Sequence, residues 1–411
     1  MSERAPRRGG RADVLITGGG TAGHVLPALA VADALVKSGH DRARIHFVGS
    51  KSGMEAHMVT DANYALTLLP GKGIVRRLAW RNISALFGLF VAFVQSVRVV
   101  WSLRPDVIIG VGGYASVPCA LAGVLLRVPL VVLNIDAVPG AANRLLGHFA
   151  KAIAVASPYA SIHGAVVTGV PLRDDLIAVL RVTNGKDHAR RAFGLDVDRL
   201  LIVLTGGSLG ARRLNEAGIG LASLFSKRKD LALYHVSGER EHDDVLKKAD
   251  GLNLDAKLGL DYRVVAYEHR LAQLFVAADV VVCRAGASTI AELCLIGVPS
   301  LLVPLPGAPS DHQVKNASIL ARVGGAIVIS DAEATPEHLA EVLEPLLNDD
   351  ARRVEMSQKA RSLAIEDAAE RVARLVDETA QRRSSALAID QHDHSSHLAA
   401  RTYEPDRGSK P

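Results

Sequence analysis

One pattern occurs twice in this chain. Val14 opens VLITGGGTAGH and Ile202 opens IVLTGGSLGAR: each is an apolar run ending in threonine, then a glycine loop, then the start of an amphipathic stretch. Glycines are needed there because the backbone must turn sharply off a sheet and expose its N–H groups at the start of a helix. Two copies in one chain imply two Rossmann-like halves rather than one large sheet.

The rest of the sequence follows the same rhythm. Short apolar runs predict strands at 14–17, 44–49, 65–69, 106–111, 130–134 and 152–157, with helical patterns between them. A second series is predicted at 200–205, 231–237, 262–267, 280–284, 300–304 and 326–330. Alternation of this kind builds α/β domains on parallel sheets, whose strands are buried on both faces. Expected units are a basic disordered tail (1–11), an N-terminal Rossmann-like domain (12–175) and a C-terminal one (176–365). A helix at 366–381, able to pack back on the N-terminal domain, and a polar, histidine-containing disordered tail (382–411) complete the division.

Charge excludes one class of partner. The formal net charge is +5, but residues 1–11 contribute +3 and residues 382–411 contribute +1, so the body is close to neutral. It lacks a basic footprint for nucleic acid. Cys119, Cys283 and Cys294 lie in apolar stretches without metal-ligand spacing and read as buried thiols. The His392-Asp393-His394 cluster reads as an adventitious metal binder at most, so neither metal nor cofactor is expected. No signal peptide is expected, since the basic start runs into a strand. Val107–Leu126 is uncharged but broken by Gly110, Gly112, Gly113 and Pro118, and Ile83–Val97 is short for a membrane span.

Three loops carry the chemistry. Gly18, Gly20 and Gly23 satisfy a dinucleotide spacing, but an NAD site wants an acid about 20 residues later, where Gly49-Ser50-Lys51 stands instead. Gly206-Gly207-Ser208-Leu209-Gly210 adds a hydroxyl, Ser208, that can donate to a phosphate. In Arg284-Ala285-Gly286-Ala287-Ser288-Thr289-Ile290-Ala291-Glu292 a strand ends in small residues and a helix begins at hydroxyl groups, a good seat for a diphosphate. Glu292 fits two roles on residue type alone: a capping-box partner of Thr289, or an acceptor for both hydroxyls of a ribose.

These segments, together with GVGGYASVP from Gly110, TGVPLR from Thr168, GGSLGARRLNE from Gly206 and HQVKNA from His312, resemble in order and spacing the MurG family. The resemblance spans residue 12 to about 375. It implies a GT-B fold, two Rossmann-like domains with parallel sheets facing across a cleft. The implied activity is metal-independent, inverting transfer of N-acetylglucosamine from UDP-N-acetylglucosamine to the lipid-linked muramoyl peptide lipid I, giving lipid II.

Matching positions carry implied roles. Thr21, Ala22 and Gly23 line the donor sugar and diphosphate cleft. Arg173 and Ser208 contact the phosphates. Ala287, Ser288, Thr289, Ile290 and Ala291 cradle the nucleotide, and Glu292 holds its ribose. Glu268 falls where uracil is contacted through backbone atoms, and Gln313 reads the sugar hydroxyls. His24 faces the acceptor side; His24 and Asp136 are the candidate bases, with Asp106 a structural cap. The chain departs from the family pattern at Leu133-Asn134-Ile135-Asp136, where His-Glu-Gln-Asn is usual, at Val170 for asparagine and at Leu209 for glutamine. Two other readings share these residues: the same donor type with another lipid acceptor, or a weakly catalytic nucleotide-sugar-binding membrane subunit. Arg76, Arg77 and Arg81 precede the apolar Ile83, Leu86, Phe87, Leu89, Phe90, Phe93 and Val94. That juxtaposition suits peripheral docking on an anionic membrane, at its cytoplasmic face.

Overall fold

Val-, Ile- and Leu-rich runs with no polar alternation form the central strands, which the structure buries on both faces, while the strands at the sheet edges are only partly buried. In the computed structural model residues 13–382 are described, apart from 52, 71–80, 161, 182–184 and 208–209; within the helix at 81–103 the side chains of 81–87 and 89 are not described. The first sheet contains β1 (Val14–Thr17), β2 (Ile45–Ser50), β3 (Ala65–Leu69), β4 (Val107–Gly110), β5 (Leu130–Asn134), β6 (Ala152–Val155) and β7 (Val166–Val167). The second contains β8 (Leu200–Thr205), β9 (Leu231–Val236), β10 (Asp261–Val265), β11 (Val280–Cys283), β12 (Ser300–Leu302) and β13 (Ala326–Val328).

The strand orders are β3-β2-β1-β4-β5-β6-β7 and β10-β9-β8-β11-β12-β13, and every pairing is parallel. This is the doubly wound α/β architecture expected from the repeat. Each sheet reverses its winding once, between β1 and β4 and between β8 and β11. Crevices that bind ligands form at the carboxyl ends of strands beside such a reversal. The glycine-bearing segments picked out from sequence leave these four strands: 18–20 from β1, 112–113 from β4, 206–207 from β8 and 284–286 from β11.

Most strand boundaries agree with the sequence reading to within a residue or two. Residue 106 precedes β4; there Asp106 Oδ2 accepts the Asp13 N–H at 3.1 Å, a brace for the neighbouring strand. β7 was not foreseen: two residues between turns leave no periodic signal.

The halves are joined twice. The chain leaves the first sheet through 168–173 and returns through 362–368. Gly169 has φ +87°, and a Cβ there would meet Ile365 Cβ at 2.9 Å, so the two crossovers run in contact. The last described helix, 368–382, then lays Ala369, Val372, Ala373, Val376 and Ala380 into the core of the first sheet, beside Val14, Val31 and Leu35. At its far end Asp377 Oδ1 lies 2.8 Å from Nε2 of the buried His40.

Candidate active site

The first loop is held open by a carboxylate beneath it. Gly18, Gly19 and Gly20 all have positive φ, near 136°, 134° and 98°. Glu55, 2% exposed, accepts the Gly20 N–H on Oε1 at 2.9 Å and the Ser50 N–H on the same atom at 3.3 Å. The Gly19 N–H donates to the Gly112 carbonyl, locking the β1 and β4 loops together. The helix Ala22–Lys37 begins immediately after, with Thr21 in extended N-cap conformation and no side-chain cap bond. The Thr21 hydroxyl instead lies 3.1 Å from His24 Nδ1. Burial lowers the pKa of His24; Asp136 and Glu55 push it up and His312 pushes it down.

Across the cleft, the helix Ala287–Ile296 starts at Ala287 with Gly286 as its N-cap, and no side chain caps it. The capping-box reading of Glu292 is therefore not realised: the helix starts earlier than the hydroxyl residues, and Glu292 sits in its second turn. Ser288 Oγ donates to the Gly23 carbonyl at 3.5 Å, bringing the two helix N-termini face to face. Among the described residues no hydrogen bond or ion pair is made by the Glu292 carboxylate. Burial pushes its pKa up to about 7, against Arg173, which lowers it, and with Asp175, which raises it. Arg173 itself precedes the helix Asp174–Leu180 and pairs with Asp175 at 2.8 Å.

Gln313 lies in the first turn of the helix His312–Arg322 and Asn316 one turn later. Gln313 Oε1 accepts from the Ala285 N–H (3.2 Å) and the Leu305 N–H (2.9 Å), which leaves its NH₂ group for a ligand. Asn316 belongs to the HQVKNA segment, whose sequence assigns it no role. It donates to Asp136 Oδ1 at 3.1 Å and to the Ala285 carbonyl at 3.2 Å, and accepts the Ala137 N–H at 2.8 Å. Asn134 supports the same loop from below, donating to the Asp136 carbonyl at 2.8 Å and accepting from Asn143 at 3.1 Å.

The structure thus gathers Thr21, Gly23, His24, Asp136, Ser288 and Gln313 on two facing loop sets, with Ala22 and Ala287 at the helix starts; Thr289 is in the first turn beside Ser288. Arg173 and Glu292 form a second group. The Glu268 carboxylate is engaged locally: Oε2 accepts from the Tyr234 hydroxyl at 3.3 Å and Oε1 from the Arg270 N–H at 2.8 Å. Ile290 and Ala291 share a helix face with Ala287 and Cys294. With Cys294, Ile135, Val170 and Ile319 they line an apolar cavity of about 320 Å³ between the halves. Two of the departures noted above, Ile135 and Val170, meet in that cavity. Ser208 and Leu209 lie outside the described residues, as do Arg76, Arg77 and the 392–394 cluster.

All three cysteines are free and buried, and burial raises each thiol's pKa. Among the described residues no group of three or more His, Cys, Asp or Glu is placed to hold a metal ion.

Comparison with known proteins gives the family. Residues 14–155 match the glycosyltransferase family 28 N-terminal domain and residues 201–372 its C-terminal domain. The UDP-N-acetylglucosamine–N-acetylmuramyl-(pentapeptide) pyrophosphoryl-undecaprenol N-acetylglucosamine transferase of Salinibacter ruber is 38% identical over 378 residues, covering 91% of this chain and 97% of that protein. The enzyme of the same name from Moorella thermoacetica is 36% identical over 374 residues, with 90% and 99% covered. The crystal structure of Acinetobacter baumannii MurG superposes with a TM-score of 0.69 at 30% identity, covering 89% of this chain and 99% of that one. Matched across both halves, in sequence and in fold, the chain belongs to glycosyltransferase family 28 and, within it, to the MurG enzymes.

Proposed function

We propose that this protein transfers N-acetylglucosamine from UDP-N-acetylglucosamine to lipid I, making lipid II for peptidoglycan at the cytoplasmic face of the cell membrane. The observation that carries the reading is the near-full-length match to enzymes named for this reaction, on a chain whose His24, Asp136 and Gln313 segments meet in one cleft. The acceptor hydroxyl oxygen bonds to the anomeric carbon of the sugar as the bond to the departing diphosphate breaks. Negative charge grows on UDP, and the N-terminus of the helix Ala287–Ile296, the Ser288 and Thr289 hydroxyls and Arg173 offset it. The hydroxyl proton passes to a base. His24 supports that role because burial favours its neutral form; in the tautomer that carries its hydrogen on Nδ1, beside the Thr21 hydroxyl, Nε2 keeps a lone pair. Asp136 is the second candidate, and Glu292 accepts the ribose hydroxyls.

The reading is tested by UDP release from purified protein given UDP-N-acetylglucosamine with and without lipid I. Release that depends on lipid I, with lipid II as product, is expected. Donor binding without such release would move the assignment to another lipid acceptor or to a binding subunit.

Peripheral membrane contact follows from the acceptor. Among the described residues no helix is long and apolar enough to cross a membrane. The helix Arg81–Leu103 packs on Ser116–Leu125, which packs on Ala141–Gly147. These helices and the turn after them expose Phe90, Trp101, Leu125, Leu145 and Phe149, with exposed Arg98, Arg127, Arg144 and Lys151 among them. Apolar side chains bracketed by cations suit an anionic lipid surface.

A further inference from the structure

Asn316 is 3% exposed and every polar atom of its side chain is used. One amide hydrogen goes to the Asp136 carboxylate, the other to the Ala285 carbonyl, and the oxygen takes the Ala137 N–H. Asp136 and Ala137 follow β5 in the first sheet; Ala285 follows β11 in the second. The partners across the cleft are 179 and 180 residues away in sequence. Ala285 is held from both sides, since its N–H donates to Gln313, one helical turn before Asn316. A single buried amide therefore joins the loop that bears Asp136 to the strand end that Gln313 braces.

This arrangement is satisfied in one relative position of the two halves. Moving them apart strands a buried amide, and separating Asp136 from Asn316 frees its carboxylate to swing. We propose that Asn316 is a positioning residue for the transfer reaction: it clamps the 136–137 loop onto the second half and so fixes the Asp136 carboxylate in the cleft when the halves are closed. The kinetic part rests on the reading of Asp136 as a group used in transfer; the clamp itself does not.

The experiment pairs steady-state kinetics with amide exchange on the full chain. Asn316→Ala is expected to lower kcat by about tenfold to 100-fold, the usual consequence of a misplaced reacting group, while UDP affinity measured by calorimetry stays within about twofold. Combined with Asp136→Asn, the second substitution should add little, because both act through one carboxylate. Hydrogen exchange at the Ala137 amide should accelerate in Asn316→Ala. In Asn316→Asp, which replaces the donor with an acceptor facing the Asp136 carboxylate and the Ala285 carbonyl, kcat should fall at least as far as in the alanine variant. Unchanged kcat in folded Asn316→Ala, or independent losses in the double variant, would overturn the positioning role. If Asp136→Asn alone leaves kcat intact, the reading of Asp136 fails separately. Exchange at Ala137 then decides the clamp: faster exchange upholds it, and unchanged exchange overturns it.

Discussion

Glu55 lies directly beneath Gly20, its Oε1 accepting the Gly20 N–H at 2.9 Å. The carboxylate fills space that side chains would otherwise occupy. A Cβ on Gly19 would stand 2.1 Å from Oε1, and one on Gly53 would stand 1.7 Å from Oε2. The shape of the glycine loop is thus set by a residue from the next βα unit. Glu55→Ala should leave the Gly20 and Ser50 N–H groups without their acceptor, at a cost of about 1–3 kcal/mol. A lowered thermal midpoint together with reduced turnover is expected, and an unaltered melting curve would show that water replaces the carboxylate fully.

His24 should matter to turnover and hardly to donor affinity. Loss of a general base typically costs on the order of 10²–10⁴-fold. His24→Ala should therefore show that scale of loss in kcat with UDP binding nearly unchanged. Burial holds the imidazole below its ordinary value of 6.5, so it stays neutral through the physiological range. The acid limb of kcat/KM for the acceptor should lie below about pH 6.5, and a limb centred well above neutrality would point to another group.

Glu292 links donor binding to pH. Its carboxyl, raised by burial to about 7, is protonated below that pH and can then donate to one ribose oxygen but accept poorly from two hydroxyls. Affinity for UDP should improve as pH rises from about 6 to about 8, and Glu292→Gln should flatten that dependence. Stability moves oppositely. A raised carboxyl contributes stability that is fully present below its unfolded value near 4.5 and is lost as pH passes about 7. Ligand-free protein should therefore melt progressively lower across that window relative to Glu292→Gln. Parallel curves for the two proteins would remove the burial argument.

Trp101 and Phe90, each 64% exposed, test the membrane reading. Trp101→Ser with Phe90→Ser should reduce co-sedimentation with anionic phospholipid vesicles and leave UDP affinity unchanged. Added salt should weaken binding of the unsubstituted protein through screening of the basic side chains. Equal sedimentation of the two proteins would assign lipid contact to another face.

The fold was legible because its determinants are local: strands buried on both faces leave uninterrupted apolar runs, and sharp turns at their ends leave glycines. The same held for the loops around residues 18–24, 284–292 and 312–317, and for their family. What stayed hidden was set by contacts between distant segments. Glu55 reads in sequence as an ordinary acid in the first turn of a helix, and nothing nearby announces the glycine loop 35 residues earlier. Asn316 reads as a polar position on an amphipathic helix until its partners 180 residues away come into view. Asn134, which stands where the family usually has a carboxylate, also supports the loop from within, a role that shows only once its partner carbonyl is in view. The apolar cavity was invisible for the same reason, since its lining comes from segments as far apart in sequence as Ile135, Val170, Ile290 and Ile319.

The helix at 368–382 places a constraint on how the molecule is made. Its Val372 and Val376 are fully buried against β1 and the helix after it, residues synthesised at the opposite end of the chain. On the ribosome the amino-terminal sheet waits with an uncovered apolar strip while the second half is translated and folds. Pairings so far apart in sequence form slowly, and the exposed strip is a surface for misassembly in the interval. The order of synthesis and the order of completion are reversed: the first sheet to be made is the last to be sealed.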